Sequence, residues 1–148
     1  MAGFQPDIGL THVALPIADA ARSAAFYERF ADMQVVHRRT DPQTGAQVVW
    51  LSDLTRPFVI VLIESPVSHS LGGLAHLGVG CTSRAEVDTR SDGARAAGHP
   101  VLGPSDDGPP VGYWSIITDP DGHNLELSYG QAVAFTVTRH EPGPPTPT

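Results

Sequence analysis

Two histidines and one glutamate have the spacing that chemistry would need. His12 lies in Leu10-Thr-His-Val-Ala14 and His76 in Leu74-Ala-His-Leu-Gly78. Each sits in the middle of an alternating segment, so its imidazole shares a strand face with the residues two positions before and after it. In Asn124-Leu-Glu-Leu-Ser-Tyr129 the alternation puts Asn124, Glu126 and Ser128 on one face and Leu125, Leu127 and Tyr129 on the other. If the leucine face covers a helix, Glu126 points to the concave side of its sheet, where an unpaired carboxylate is costly. A divalent cation is its natural partner. Two imidazoles and one carboxylate form a facial triad with open coordination positions, suited to one Fe2+, Mn2+, Ni2+ or Zn2+ ion. Taken singly, each of the three is more often a packing or surface residue than a ligand. The two histidines stand out because they occupy corresponding points of a repeat.

The elements that must position them follow from periodicity. Ile8 to Leu15 alternates as a strand stopped by Pro16, and Asp19 to Met33 has helical spacing, with Asp19 as N-cap and Ala21, Ala25, Phe26, Phe30 and Met33 as its apolar stripe. Strands follow over Val35–Thr40, Gln47–Ser52 and Phe58–Glu64. After a loop from Ser65 to Gly73 the pattern starts again. Leu74–Cys81 is a strand, Ser83 and Glu86 form a capping box, and Gly98 closes the helix. Val101-Leu102 is a short strand, Gly103–Pro110 a loop, and Tyr113–Thr118 and Asn124–Tyr129 a hairpin across Asp119-Pro-Asp-Gly122. The chain is therefore expected to be α+β, one domain over residues 1–133 built from two β-α-β-β-β modules (about 8–64 and 74–130). Residues 134–148, ending in a Pro-rich run, are expected to be a flexible tail.

Composition excludes several classes. The chain has 148 residues and a formal charge of −7, and all nine of its basic residues are arginine. Schiff-base lysine chemistry and a P-loop lysine are thereby removed. No basic cluster exceeds Arg38-Arg39, which argues against nucleic acid as a partner. The acidic balance suits a neutral or cationic small molecule better than an anionic one. Cys81 is the single cysteine, so no intramolecular disulfide forms and a reducing, cytoplasmic setting is expected. No apolar run approaches the ~18 residues of a bilayer span, so no membrane partner is expected.

Thr11-His-Val-Ala-Leu-Pro16, Arg22-Ser-Ala-Ala-Phe-Tyr27, Leu74-Ala-His-Leu-Gly78 and Tyr113-Trp-Ser-Ile-Ile-Thr-Asp-Pro-Asp-Gly-His-Asn-Leu-Glu126 together resemble the vicinal oxygen chelate superfamily. These are the glyoxalase, bleomycin resistance and extradiol dioxygenase proteins. The likeness spans residues 8 to 130. It implies paired modules forming a half-open β-barrel around a metal, with His12, His76 and Glu126 on the metal positions, and frequently a homodimer. It further implies a dioxygenase, lyase or isomerase acting on a small-molecule substrate, or, in a different class, a drug-sequestering protein without catalysis.

The departures narrow the choice. Relatives such as glyoxalase I carry a fourth ligand in the strand that closes the first module, where this chain has Val61. Glu64 stands three residues on, on the opposite strand face, although the repeat spacing of 52 residues from His12, against 50 from His76 to Glu126, would favour it. Glu64 is thus a candidate catalytic base or ligand, with a solvated strand-end carboxylate as the alternative. Extradiol enzymes resemble one another in a Tyr before the Asp-Pro, where Ile116 stands here, and in an upstream His that Asp106–Pro110 lacks. Fosfomycin-resistance transferases need cationic groups, and no Arg lies between Arg95 and Arg139.

Trp50, Tyr113 and Trp114 are candidate substrate-stacking residues, with ordinary strand packing as the alternative. His123, after the Asp-Gly turn, is expected to be exposed. Cys81 is expected to be a small buried hydrophobe.

Overall fold

The computed structural model describes residue 3 and residues 5–139. Two modules of identical plan follow one another. The first comprises β1 (His12–Ile17), α1 (Ala20–Phe30), β2 (Gln34–Thr40), β3 (Gln47–Ser52) and β4 (Val59–Glu64). The second comprises β5 (Leu77–Gly80), α2 (Arg84–Ala96), β6 (Val101–Asp106), β7 (Tyr113–Thr118) and β8 (Asn124–Tyr129). Each makes a four-stranded mixed sheet, ordered β1-β4-β3-β2 and β5-β8-β7-β6. β1 runs parallel to β4 and β5 to β8, while the remaining pairs are antiparallel. A short helix, α3 (Val133–Thr138), follows within the segment expected to be a tail; the Pro-rich end from residue 140 lies outside the described residues.

Helix starts follow their caps. Asp19 accepts from the Arg22 N–H at 2.9 Å and Ser83 from the Glu86 N–H at 3.1 Å. Each bond satisfies one of the donors that a first turn leaves free. Glu86 in turn accepts from the Thr82 N–H, one residue earlier than a capping box requires. α2 ends before Gly98, whose φ of 86° is the left-handed conformation that glycine adopts without steric cost. The buried stripe of α1 is Ala20, Ser23, Ala24, Phe26, Tyr27 and Phe30, rotated from the expected one so that Ala21 and Ala25 face solvent.

Several strand limits differ from the sequence expectation for identifiable reasons. β1 runs through Pro16, which is in register with Ile63. Val59 and Ser65 donate to the carbonyls of Thr11 and Ile17, so the odd-numbered residues of β1 bond to β4 and Pro16 turns its ring nitrogen outward from this edge strand. β6 likewise continues through Gly103-Pro104, with a register shift between Leu102 and Ser105 on the outer edge of its sheet. β5 is shorter than expected. His76 therefore lies just before its strand, and His12 opens β1 rather than occupying its middle.

One core joins the modules: Phe26, Tyr27 and Phe30 of α1 belong to the same buried cluster as Val87 and Ala94 of α2 and Ile117, Leu125 and Leu127 of the second sheet. The turn between β7 and β8 fastens that junction. Tyr27 Oη donates to Asp119 at 2.8 Å and Ser23 Oγ to Asp121 at 3.1 Å. Burial, reinforced by Asp119, pushes the Tyr27 hydroxyl far above its ordinary range, so it remains a donor. His123 is buried rather than exposed, at 1% accessibility. Its Nε2 donates to the Pro16 carbonyl at 2.8 Å, and its Nδ1 accepts from the Leu71 N–H at 3.0 Å. Among the described residues, no helix is long and apolar enough to cross a membrane.

Candidate metal centre

Glu126 pairs with Gly78 on one side and Ile116 on the other. Leu125 and Leu127 enter the core, which turns Glu126 to the opposite, concave face together with Trp114, Ile116 and Thr118 of β7. Although it faces the concavity, Glu126 is only 8% exposed. Its Oε1 accepts from Gln131 Nε2 at 3.2 Å, and its Oε2 lies 3.5 Å from His76 Nε2. His76 Nδ1 lies 2.8 Å from the Leu74 carbonyl. A carbonyl only accepts, so Nδ1 carries the hydrogen. Nε2 then either bears a second proton or aims a lone pair at a carboxylate. In the second case a cation between them would satisfy both groups. A ring nitrogen anchored on a backbone carbonyl is also how a metal-binding histidine is held to one tautomer and orientation.

Asn124 supports this arrangement. Its Nδ2 donates to the Gly73 carbonyl at 3.1 Å and its Oδ1 accepts from Thr118 Oγ1 at 2.9 Å, which ties the segment leading into His76 to β8.

His12 lies on the other sheet. Its Nδ1 is 2.9 Å from Thr11 Oγ1, and it lines a cavity of about 530 Å3 on the concave face of β1, β4 and β3. Among the described residues no group of three or more His, Cys, Asp and Glu comes together to hold a metal. One chain thus assembles His76 with Glu126 and places His12 elsewhere. The strand register identifies the counterpart of Glu126 in the first module. Ala14 pairs with Val61 and Val61 with Trp50, as Gly78 pairs with Glu126 and Glu126 with Ile116. Val61 therefore occupies the repeat-related position, on the cavity wall.

Glu64 faces the helix side and accepts from the backbone N–H groups of Ala20 and Gln47, each at 3.0 Å. Those bonds give it the structural task of fastening α1 and β3. Trp50 lines the His12 cavity, its ring steeply inclined to that of His37 with centroids 5.0 Å apart. Trp114 is on the concave face of the second sheet and donates from Nε1 to Asp107 at 2.8 Å. Tyr113, expected beside them, points to the helix side, where it donates to Asp88 under the Arg84 guanidinium. Strand alternation cannot place adjacent Tyr113 and Trp114 on one face. Cys81 is half-buried, and burial pushes its thiol up, as befits a packing residue. Gln131 had no sequence signal: it lies beyond β8, where strand periodicity has ended.

A divalent ion fits the chemistry of the His76–Glu126 pair, with one nitrogen and one carboxylate donor already oriented and a third ligand to be supplied from outside this module. A Pseudomonas aeruginosa protein, uncharacterized protein PA2024, is 40% identical over 126 residues, covering 82% of this chain and 89% of that one. Among solved structures, a mutant of the fosfomycin resistance protein FosX from Listeria monocytogenes, complexed with Mn(II) and 1S,2S-dihydroxypropylphosphonic acid, matches with a TM-score of 0.67 at 19% identity, covering 87% of this chain and 97% of that one. TnmS3, an antibiotic binding protein from Streptomyces sp. CB03234, matches with a TM-score of 0.61 at 18% identity, over 85% and 98% of the two chains. The Glyoxalase/Bleomycin resistance protein/Dioxygenase family model matches residues 9–127. With that match taking in both β-α-β-β-β modules except the last two residues of β8, the chain belongs to the glyoxalase/bleomycin resistance protein/dioxygenase superfamily.

Proposed function

We propose that this protein is a divalent-metal-dependent enzyme of dioxygenase, lyase or isomerase type acting on a small molecule, with each site completed between two copies of the chain. The observation that carries this reading is the His76–Glu126 pair, a buried carboxylate facing an imidazole nitrogen whose ring is fixed by the Leu74 carbonyl. His12 of a second copy supplies the third ligand. The segments leading into both histidines support such a partner: Leu10 is 88% and Leu74 95% exposed, each two residues before its histidine. Large apolar side chains so exposed at corresponding points are what an interface would cover. When bound, Fe2+, Mn2+, Ni2+ or Zn2+ supplies a Lewis acid for adjacent substrate oxygens. Gln131 and Asn124 hold the carboxylate and the His76 segment in place.

Metal content tests this reading. Protein purified without a metal-binding tag and loaded with Mn2+ should hold about one equivalent per chain, and Glu126→Ala prepared identically should hold none. No binding by the wild type, with Fe2+, Ni2+ and Zn2+ also in excess, overturns the reading. The open cavity beside Trp50 would then favour a sequestering protein, as TnmS3 is an antibiotic binding protein.

A further inference from the structure

The cavity around His12 has a chemistry of its own. Its walls are largely apolar, formed by Val48, Val59, Val61 and Ile63 with Trp50. Two arginines break that surface. Arg39 is in register with Val48, so it rises from the same face of the sheet, and Arg56 reaches the cavity from the loop between β3 and β4.

Most of the other arginines are committed elsewhere, and Arg38, which has no ion pair among the described residues either, does not line the cavity. Arg22, Arg84, Arg90 and Arg95 are in ion pairs, and Arg29 lies over the Phe30 ring. Among the described residues Arg39 and Arg56 have no such ion pair. Arg56 donates from Nε to Thr55 Oγ1 at 3.3 Å, which leaves its terminal nitrogens uncommitted. Arg39 is near enough to Asp41 to help lower that carboxyl, but Asp41 is chiefly occupied by the N–H groups of Thr44 and Gln43. Among the described residues the one acidic side chain lining the cavity is Asp7. Within one chain, two guanidiniums against one carboxylate leave a single positive charge facing an apolar chamber. The chain's net charge of −7 does not cancel it, because charges beyond roughly 8 Å are screened at physiological ionic strength.

We infer that this cavity takes a small-molecule carboxylate, its apolar body against Trp50 and the valines and its carboxylate held by Arg39 and Arg56. Planar guanidiniums bind carboxylates through paired parallel hydrogen bonds, and two of them converge on this cavity. The volume of about 530 Å3 is within the range of small-molecule sites. The inference deepens the proposed function, since His12 stands in the same wall. It also reverses the sequence expectation of a neutral or cationic ligand, because net charge describes the surface as a whole and not one chamber.

The test titrates chelator-treated protein by calorimetry with 1-naphthylacetate, 1-naphthylacetamide and 1-naphthylmethylammonium. The acid should bind about tenfold more tightly than the amide, with the ammonium weakest. In the Arg39→Gln/Arg56→Gln double variant, acid and amide should come within about twofold, while Arg38→Gln, outside the cavity, keeps the preference. Equal binding of acid and amide, preference for the ammonium, survival of the preference in the double variant, or no binding of any probe overturns the inference. Mn2+ binding by the same preparations is scored separately: its loss in the wild type counts against the enzyme reading and leaves the carboxylate assignment to the calorimetry.

Discussion

Glu126 is buried, yet its carboxylate meets one neutral donor, Gln131, and one imidazole nitrogen. Such a group needs a positive partner, and Gln131 fixes which oxygen is left to meet it. Outer-sphere partners of this kind orient a ligand without touching the metal. Gln131→Ala should therefore weaken Mn2+ binding about tenfold or more while leaving the melting temperature nearly unchanged, measured by electron paramagnetic resonance titration beside calorimetry. An unchanged affinity would make the contact incidental. At this scale the sequence is informative about residue type and much less so about partners. The face on which Glu126 stands is legible from alternation along β8, whereas His76 lies just before β5 and its ring is set by the Leu74 carbonyl. The burial of His123 is not legible, because both of its partners, Pro16 and Leu71, come from distant parts of the chain.

Elements position these residues through the repeat, and the repeat is legible from the sequence because each module restates the same order of strand, capped helix and three strands. Helix starts are legible for a local reason: Asp19 and Ser83 bond to N–H groups three residues on. Strand ends are not, because an edge strand carries a proline that a central strand would reject, as Pro16 and Pro104 demonstrate. The comparison of Val61 with Glu64 turns on the same distinction. Counting residues from the histidines favours Glu64, whereas strand register places Val61 opposite Ala14 as Glu126 stands opposite Gly78. Glu64 belongs instead to the scaffold, joining the first turn of α1 to the start of β3. Its replacement by alanine leaves two backbone donors without their acceptor, and Glu64→Ala should lower stability by about 1–2 kcal/mol in chemical denaturation. Metal stoichiometry should remain that of the wild type. Loss of metal with stability intact would return Glu64 to the list of ligands.

For the whole molecule, the separation of the ligands is decisive. His12 is on one concave face and the His76–Glu126 pair on another, each preceded by an exposed leucine. Were the His12 face of one copy to meet the His76–Glu126 face of another across a two-fold axis, as proposed above, the reverse contact would form as well, since an isologous interface makes every contact twice. That geometry has a consequence no single-chain site shares. His12→Ala and Glu126→Ala homodimers each lack a complete triad. When the two are unfolded together and refolded, half of the dimers should be mixed, and each mixed dimer contains one intact site and one that lacks both replaced ligands. The mixture should therefore recover about a quarter of the wild-type Mn2+ capacity per chain, from components that separately hold none. If the triad closes within one chain, mixing recovers nothing. If either variant alone retains the metal, His76 with the remaining ligand suffices and the dimer is not needed to complete the site.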